Sequence, residues 1–159
     1  MIVTNTQLRL LIDEFNTEYV DTLDRCELML WPEFFTDDAI YKITSQDNID
    51  QGLDGGIIFD SGIGMIKDRA YILANTQYFA PRRVKHLCSN TKVILVDQDI
   101  ILAQSNFIYI ETLVEEHSKL HLVGQYRDKF CYNNDQLKLK ERIVVYDNYV
   151  LNSVLVYPV

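Results

Sequence analysis

The sequence has few of the residues that build metal, cofactor or nucleophile sites. Only three histidines and three cysteines occur among its 159 residues. It contains no Cys-x-His…Cys-x-x-His pair, which excludes a Rieske cluster held by two cysteines and two histidines. A glycine-rich phosphate loop, a dinucleotide fingerprint and a Gly-x-Ser-x-Gly elbow are also missing. We therefore predict no catalytic, cofactor-binding or metal-binding residue in this chain.

Positive charge is scarce as well. Lys and Arg total 15 against 23 for Asp and Glu, so the net charge is −8. An acidic chain repels phosphate backbones, and no basic run interleaved with aromatics offsets this, so we predict no nucleic-acid partner. Cys26, Cys88 and Cys131 are odd in number and widely spaced. That pattern predicts buried free thiols in a reducing cytoplasm.

Long apolar runs are also absent. No run approaches the roughly 20 residues that a membrane-spanning helix needs. The N-terminus lacks the basic stretch followed by an apolar stretch that marks a signal peptide. We therefore predict a cytoplasmic protein without a membrane partner.

Helical periodicity dominates the first half of the chain. One amphipathic helix is predicted from apolar residues spaced by three and four: Leu8, Leu11, Ile12, Phe15, Tyr19 and Leu23. A shorter helix is predicted to begin at Pro32 and to end at Thr36-Asp37-Asp38, and a third helix over 64–75. Strands are predicted at 39–44 and 57–59, with a polar, glycine-bearing connection over 45–56.

From residue 82 onward the hydrophobic period changes to two, which indicates long strands joined by turns such as Asp97-Gln98-Asp99. In one strand, Leu122, Tyr126 and Phe130 are predicted on the same face as Leu120, with His121 on the other face. In the last strand, Leu139, Ile143 and Val145 alternate with Lys138, Lys140 and Arg142.

Long strands in a small domain must coil or bend, and Gly124 is the predicted bend or bulge point. The predicted fold is α+β: a cone-shaped, strongly bent antiparallel β-sheet covered by N-terminal helices. One domain is predicted over 1–159, with helices mainly in 5–75 and the sheet mainly in 82–157.

Three groups of polar residues are candidates for a function. His117-x-x-x-His121 has metal-ligand spacing for a helix but brackets a predicted turn, so an iron site would need His86 to join from another strand. Asp37-Asp38 is either a general base facing the concave side or an ordinary helix end. The basic segment Arg82, Arg83, Lys85 and His86, which follows Tyr78, is either a docking patch or a set of internal ion pairs.

Several motifs occur in the order found in one protein family: Trp31-Pro32-Glu33-Phe34-Phe35-Thr36-Asp37-Asp38-Ala39-x-Tyr41, Lys67-Asp68-Arg69, Pro81-x-Arg83-x-x-His86-Leu87-x-Ser89-Asn90, Ser105-Asn106-Phe107, Gly124-x-Tyr126-x-Asp128 and Arg142-x-Val144-x-Tyr146-Asp147. Together they resemble the small (β) subunits of aromatic-ring-hydroxylating dioxygenases.

Three more pieces are most similar to salicylate 5-hydroxylase small subunits: Asn48-x-x-x-Gly52-Leu53, Gly64-Met65-x-Lys67-Asp68-Arg69 and Asn152-Ser153-x-Leu155-x-Tyr157-Pro158. The chain departs from the family at Arg82, Val84 and Lys85, where Ser, Thr and Arg are frequent, and at 136–138, where Gly-Trp-Arg is frequent.

The resemblance implies a cystatin-like, NTF2-like cone fold that forms a homotrimer beneath three large (α) subunits, as a three-plus-three hexamer. It also implies that the Rieske cluster and the mononuclear iron belong to the large subunit and that the small subunit is mainly structural. No cofactor is then expected in this chain, and Arg82, Arg83, His86 and Tyr78 become candidates for the subunit interface.

Two other functions stay open. A free-standing isomerase or dehydratase of the same fold would use Asp38, Tyr41 or His86 in an open concave pocket. A ligand-binding module would have a pocket without acid or base groups. A scaffold subunit should instead have its concavity filled by Trp31, Phe35 and Tyr126.

Overall fold

The computed structural model describes residues 5–76, 80–133 and 136–159. Among these residues, the first half contains three α-helices, one 3-10 helix and two strands: α1 (Asn5–Asp24), the 3-10 helix (Trp31–Phe34), β1 (Phe35–Ser45), α2 (Gln46–Asp50), β2 (Ile58–Ser61) and α3 (Ile63–Asn75). The second half contains four strands: β3 (Arg82–Asp97), β4 (Ile100–Leu113), β5 (Lys119–Asn133) and β6 (Gln136–Tyr146). The predicted α+β cone fold is confirmed.

The six strands form one sheet in the order β2-β1-β6-β5-β4-β3. Four of the neighbouring pairs are antiparallel, as predicted, whereas β1 runs parallel to β6. The sheet is therefore mixed. This pairing joins the first strand of the chain to the last, for example Tyr41 to Arg142, and periodicity within either strand carries no information about such a distant partner.

Gly124 lies where β5 approaches β6 very closely. A Cβ atom at this position would be 2.0 Å from the carbonyl oxygen of Val145 and 2.8 Å from the Cα of Tyr146. Register with Phe107 on β4 is unbroken at Gly124, so this glycine permits a close backbone contact and does not form a bulge. In the pairing of β5 with its two neighbours, the bulges lie elsewhere, between Tyr109 and Ile110 and between Lys129 and Phe130.

The hydrophobic core lies between α1 and the buried face of the sheet. Helix α1 contributes Leu8, Ile12, Tyr19 and Leu23 to it, as its apolar spacing predicts, whereas Leu11 is exposed. The last residues of the chain return to this core, because Leu155 and Tyr157 pack against it and Val159 is buried. None of the helices in the described residues is long and apolar enough to cross a membrane.

The segment around Pro32 differs from its prediction. It forms one 3-10 turn, closed by the Phe35 N–H donating to the Pro32 carbonyl, and Phe35 itself is already extended. Asp37 and Asp38 consequently lie on β1 and do not end a helix. The predicted connection over 45–56 contains α2, which is capped by the Ser45 hydroxyl accepting from the Asn48 N–H at 3.1 Å.

The three cysteines are free, as predicted, but they are not all buried. Cys26 is exposed, and Cys88 and Cys131 are half-buried. Burial raises the pKa of the Cys88 thiol to about 11, so this thiol stays protonated at neutral pH.

Candidate functional site

The concave interior of the cone is filled by aromatic side chains. Trp31, Phe35 and Tyr126 are all buried. Trp31 packs edge-on against Phe35 at 5.3 Å and against Tyr41 at 5.0 Å between ring centroids. These contacts leave the middle of the cone packed as a core, which is the arrangement predicted for a scaffold.

Tyr41, a candidate for the pocket of an enzyme, is bonded to the end of the chain. Its hydroxyl donates to the Val159 carbonyl at 3.1 Å and accepts from the Val159 N–H at 2.9 Å. The Tyr19 hydroxyl donates to the same carbonyl at 3.2 Å. Burial raises the pKa of Tyr41 well above its ordinary value. This phenol is therefore occupied as a structural group that holds the C-terminal segment in the cone.

Asp38, the second pocket candidate, lies on the exposed side of β1. Its carboxylate pairs with Lys140 at 2.8 Å and accepts from the Thr36 hydroxyl at 2.9 Å. The hydrogen bond from Lys140 lowers the pKa of Asp38. An exposed, ionised carboxylate with a cationic partner does not line the buried interior and is a poor general base.

The basic segment on β3 is divided by the alternation of the strand. Arg83 and Lys85 are exposed, whereas Arg82 and His86 turn inward. Arg82 pairs with Glu111 at 2.8 Å, and both side chains are less than one-tenth exposed. Of the four interface candidates, Arg83 is therefore exposed, Arg82 is in an internal ion pair, His86 is hydrogen-bonded to Asp24, and Tyr78 lies outside the described residues.

The side chain of His86 is fully buried and is held by Asp24 at the end of α1. The Nδ1 atom of His86 lies 2.7 Å from Asp24 Oδ1, and the backbone N–H of His86 donates to the same carboxylate at 3.2 Å. In the neutral imidazole this bond places the proton on Nδ1 and leaves a lone pair on Nε2. Asp24 thus fixes both the orientation and the tautomer of His86.

His86 belongs to a row of three buried polar rings that crosses β3, β4 and β5. Its ring centroid lies 4.7 Å from that of Tyr109, which lies 5.5 Å from that of His121. Tyr109 pairs with Leu122 and Ile110 pairs with Leu120, so His121 is the extra residue of a β-bulge. The bulge turns His121 inward and Leu120 outward, the reverse of the predicted faces.

The three rings carry polar atoms that have no hydrogen-bond partner among the described residues, namely His86 Nε2, Tyr109 Oη and His121 Nε2. Burial raises the pKa of Tyr109 and lowers that of His121, so both groups are neutral at neutral pH. The row therefore contains unpartnered hydrogen-bond donors and acceptors in the buried interior, and neither Tyr109 nor His121 carries a net charge there.

A second buried polar group lies deeper in the core and was not predicted. Arg142 donates to both oxygens of Asp128, at 2.9 and 2.8 Å, and to Asn16 at 2.6 Å. Its guanidinium lies 4.1 Å from the ring centroids of both Tyr19 and Tyr126. Although burial alone would lower the pKa of Arg142, the charge of Asp128 raises it, so the guanidinium stays charged.

Alternation placed Arg142 on the outer face, and the bulge beside Lys129 and Phe130 explains the error. Lys129 pairs with Glu141 and Phe130 with Leu139, so Lys140 is an extra residue and the face of β6 changes there. The one sequence signal for this site was the presence of Asp128 and Arg142 in two of the family motifs.

The described residues contain no group of three or more His, Cys, Asp or Glu side chains placed to hold a metal ion. The cavity at the edge of β2 has a volume of about 590 Å³ and lies between α3 and the C-terminal segment. It is lined mainly by apolar residues together with the Asp60–Arg69 ion pair. Asp38, Tyr41 and His86 do not line it.

Comparison with known proteins identifies a domain family and several relatives. The profile of the SnoaL-like domain matches residues 5–143. The chain is 30% identical over 147 residues to the terminal oxygenase component subunit beta 2 of a terephthalate 1,2-dioxygenase from Comamonas sp, covering 92% of this chain and 96% of that protein. It is 28% identical over 141 residues to the anthranilate 1,2-dioxygenase small subunit of Burkholderia cepacia, covering 89% and 88%.

Among solved structures, the fold is similar to that of a β subunit described as part of an aromatic-ring-hydroxylating dioxygenase from Novosphingobium aromaticivorans. The TM-score is 0.87 at 26% identity, and the match covers 96% of this chain and 97% of that one. The similarity therefore extends over both the helices and the sheet.

Proposed function

The chain belongs to the SnoaL-like domain family and, within it, to the small (β) subunits of aromatic-ring-hydroxylating dioxygenases; on this basis we propose that it is a structural subunit in the cytoplasm. It assembles as a trimer with three large subunits that carry the Rieske cluster and the mononuclear iron. The relatives are named for terephthalate and anthranilate. Both are aromatic carboxylates, so we propose this substrate class for the large subunit.

The observation that supports a structural role most directly is the filled cone. Trp31, Phe35 and Tyr126 occupy its centre, and Tyr41 is bonded to Val159. An enzyme of this shape needs an open cavity in which polar groups converge on a substrate. Packing of this kind instead stabilises a rigid body whose outer surface contacts other subunits.

The outer face of β3 supports a docking role. β3 is an edge strand of the sheet, and its outer face exposes Arg83, Lys85 and Leu87 in alternation. Leu87 is 57% exposed and pairs with Ile108 of β4, which is 36% exposed. Arginine beside apolar side chains is typical of protein interfaces. We therefore propose that this face contacts a neighbouring subunit of the oxygenase.

Co-expression with the Rieske-type large subunit of a ring-hydroxylating dioxygenase tests the assembly. A tag on the large subunit should recover this chain in equal molar amount. Arg83→Glu should reduce the recovered amount while the isolated chain keeps its unfolding midpoint. Lys119→Glu reverses an exposed charge on β5 and should leave recovery unchanged. Equal recovery of Arg83→Glu and the native chain would remove the docking surface from the proposal, and no recovery of the native chain would contradict assembly itself.

A further inference from the structure

We propose that His86, Tyr109 and His121 form a buried binding site for one neutral hydroxyl group. The shared chemistry is that of a water molecule or of the hydroxyl of a small phenol. This goes beyond a structural role, because it assigns a ligand to the interior of the chain.

The first support is the shared lack of partners. His86, Tyr109 and His121 are 5%, 0% and 2% exposed, and each has one buried polar atom without a partner among the described residues. Buried polar groups in native proteins are almost always hydrogen-bonded, to protein atoms or to ordered ligands. Three such groups lie on adjacent strands with their rings in contact. One common ligand explains them more simply than three unrelated missing hydrogen bonds.

The row is also assembled from distant parts of the chain. Asp24 orients His86 from α1, across 62 residues of sequence. The β-bulge at Tyr109 turns His121 inward, against the alternation of β5. Bulges are frequent next to functional sites because they re-aim one side chain without disturbing the rest of the strand.

The donors and acceptors match one hydroxyl. In the neutral imidazole, whose proton Asp24 holds on Nδ1, His86 Nε2 accepts a hydrogen bond from this hydroxyl. The Tyr109 hydroxyl donates to its oxygen, and His121 supplies a further donor in the tautomer with the proton on Nε2. A hydroxyl group has one proton to give and two lone pairs to fill, which matches one acceptor and two donors among the three unpartnered protein atoms.

The surrounding charges favour a neutral ligand. Asp24, Glu111 and Arg82 all influence the ionisation of Tyr109, and the Glu111 carboxylate is paired with Arg82. An anion would lie near Asp24 and Glu111, and a cation would lie near Arg82. Tyr157 of the C-terminal segment packs against the same core.

The test combines crystallography with a titration of phenol, both on the full chain. A high-resolution crystal structure should show one ordered oxygen about 2.7–3.2 Å from at least two of the three polar atoms. Calorimetry then measures phenol binding to the native chain, to Tyr109→Phe and to Tyr132→Phe. Tyr132 is an exposed tyrosine on β5, so it controls for the loss of a phenolic hydroxyl.

An ordered water with no phenol binding identifies water as the ligand. Phenol binding that is about tenfold weaker in Tyr109→Phe and unchanged in Tyr132→Phe identifies a small-molecule site. The proposal is overturned if no ordered oxygen occupies the site and phenol either fails to bind or binds Tyr109→Phe as well as the native chain. The crystallographic result stands even if Tyr109→Phe fails to fold. None of these outcomes depends on a large subunit.

Discussion

Replacing Asp128 by asparagine should destabilise the chain far more than the same replacement of Asp38. Both carboxylates pair with a cation on β6, at the same distance: Asp128 with Arg142 at 2.8 Å and Asp38 with Lys140 at 2.8 Å. The pairs differ in burial. The side chains of Asp128 and Arg142 are 0% exposed, whereas those of Asp38 and Lys140 are 63% and 40% exposed.

The expected loss of stability follows from the charge of Arg142, which remains buried in the variant. Asp128→Asn leaves the guanidinium of Arg142 buried between two aromatic rings without a counter-charge, and removing one partner of a buried ion pair costs about 3–5 kcal/mol. At about 2–4 °C per kcal/mol for a chain of this length, Tm should fall by roughly 6–20 °C. Asp38→Asn should leave Tm nearly unchanged, because solvent screens an exposed pair.

Urea denaturation at one protein concentration measures both variants. The double variant Asp128→Leu/Arg142→Met should regain much of the stability lost in Asp128→Asn, because an apolar pair leaves no buried charge. If Asp128→Asn and Asp38→Asn shift the midpoint equally, the buried pair does not hold Arg142 in the way that its geometry indicates.

Further predictions concern the glycines and the buried histidine. Gly124→Ala places a methyl group against the Val145 carbonyl and should lower the free energy of unfolding by about 3 kcal/mol or prevent folding. Gly64→Ala on α3, where the space around the glycine is open, should raise the free energy of unfolding by about 1 kcal/mol. Equal urea midpoints for the two variants would refute the close contact at Gly124. Burial lowers the pKa of His121, so the unfolded chain binds more protons just below pH ~6.5 and the free energy of unfolding should fall as the pH falls through that range. His121→Gln should flatten this slope between pH 7.5 and 5.5 and the exposed control His117→Gln should not; an unchanged slope in His121→Gln would mean that His121 does not titrate differently on folding.

The elements that depend on local sequence were predictable. The helix predicted over 64–75 is α3 at Ile63–Asn75, and the turn at Asp97-Gln98-Asp99 joins β3 to β4. Alternation also predicted the shared face of Leu122, Tyr126 and Phe130 on β5, all of which are buried. In each case the signal lies within one turn of helix or a few residues of strand, which is the range over which periodicity carries information.

Contacts between distant residues were not predictable in the same way. The parallel pairing of β1 with β6 and the Asp24–His86 bond both depend on the assembled sheet. Two single-residue bulges then reversed the predicted faces of His121 and Arg142. One extra residue exchanges the two faces of a strand, so a short alternating pattern cannot show where the exchange occurs.

The basic segment on β3 shows how much of the candidate site could be predicted from the sequence. Its composition indicated a patch, and its alternation divides the patch into the inward residues Arg82 and His86 and the outward residues Arg83 and Lys85. The inward face holds the Arg82–Glu111 ion pair and the His86–Asp24 hydrogen bond, whereas on the outward face Lys85 pairs with Asp24 at 3.3 Å and Arg83 is exposed. Tyr78 remains a predicted interface residue outside the described part of the chain.

The mass of the co-expressed complex tests the central claim most directly. Light scattering coupled to size-exclusion chromatography measures it for this chain together with the Rieske-type large subunit used for co-expression. The proposal predicts one peak whose mass equals three copies of each chain, with the 18.6 kDa chain present in equal number. A monomer of 18.6 kDa that elutes apart from the large subunit would contradict it.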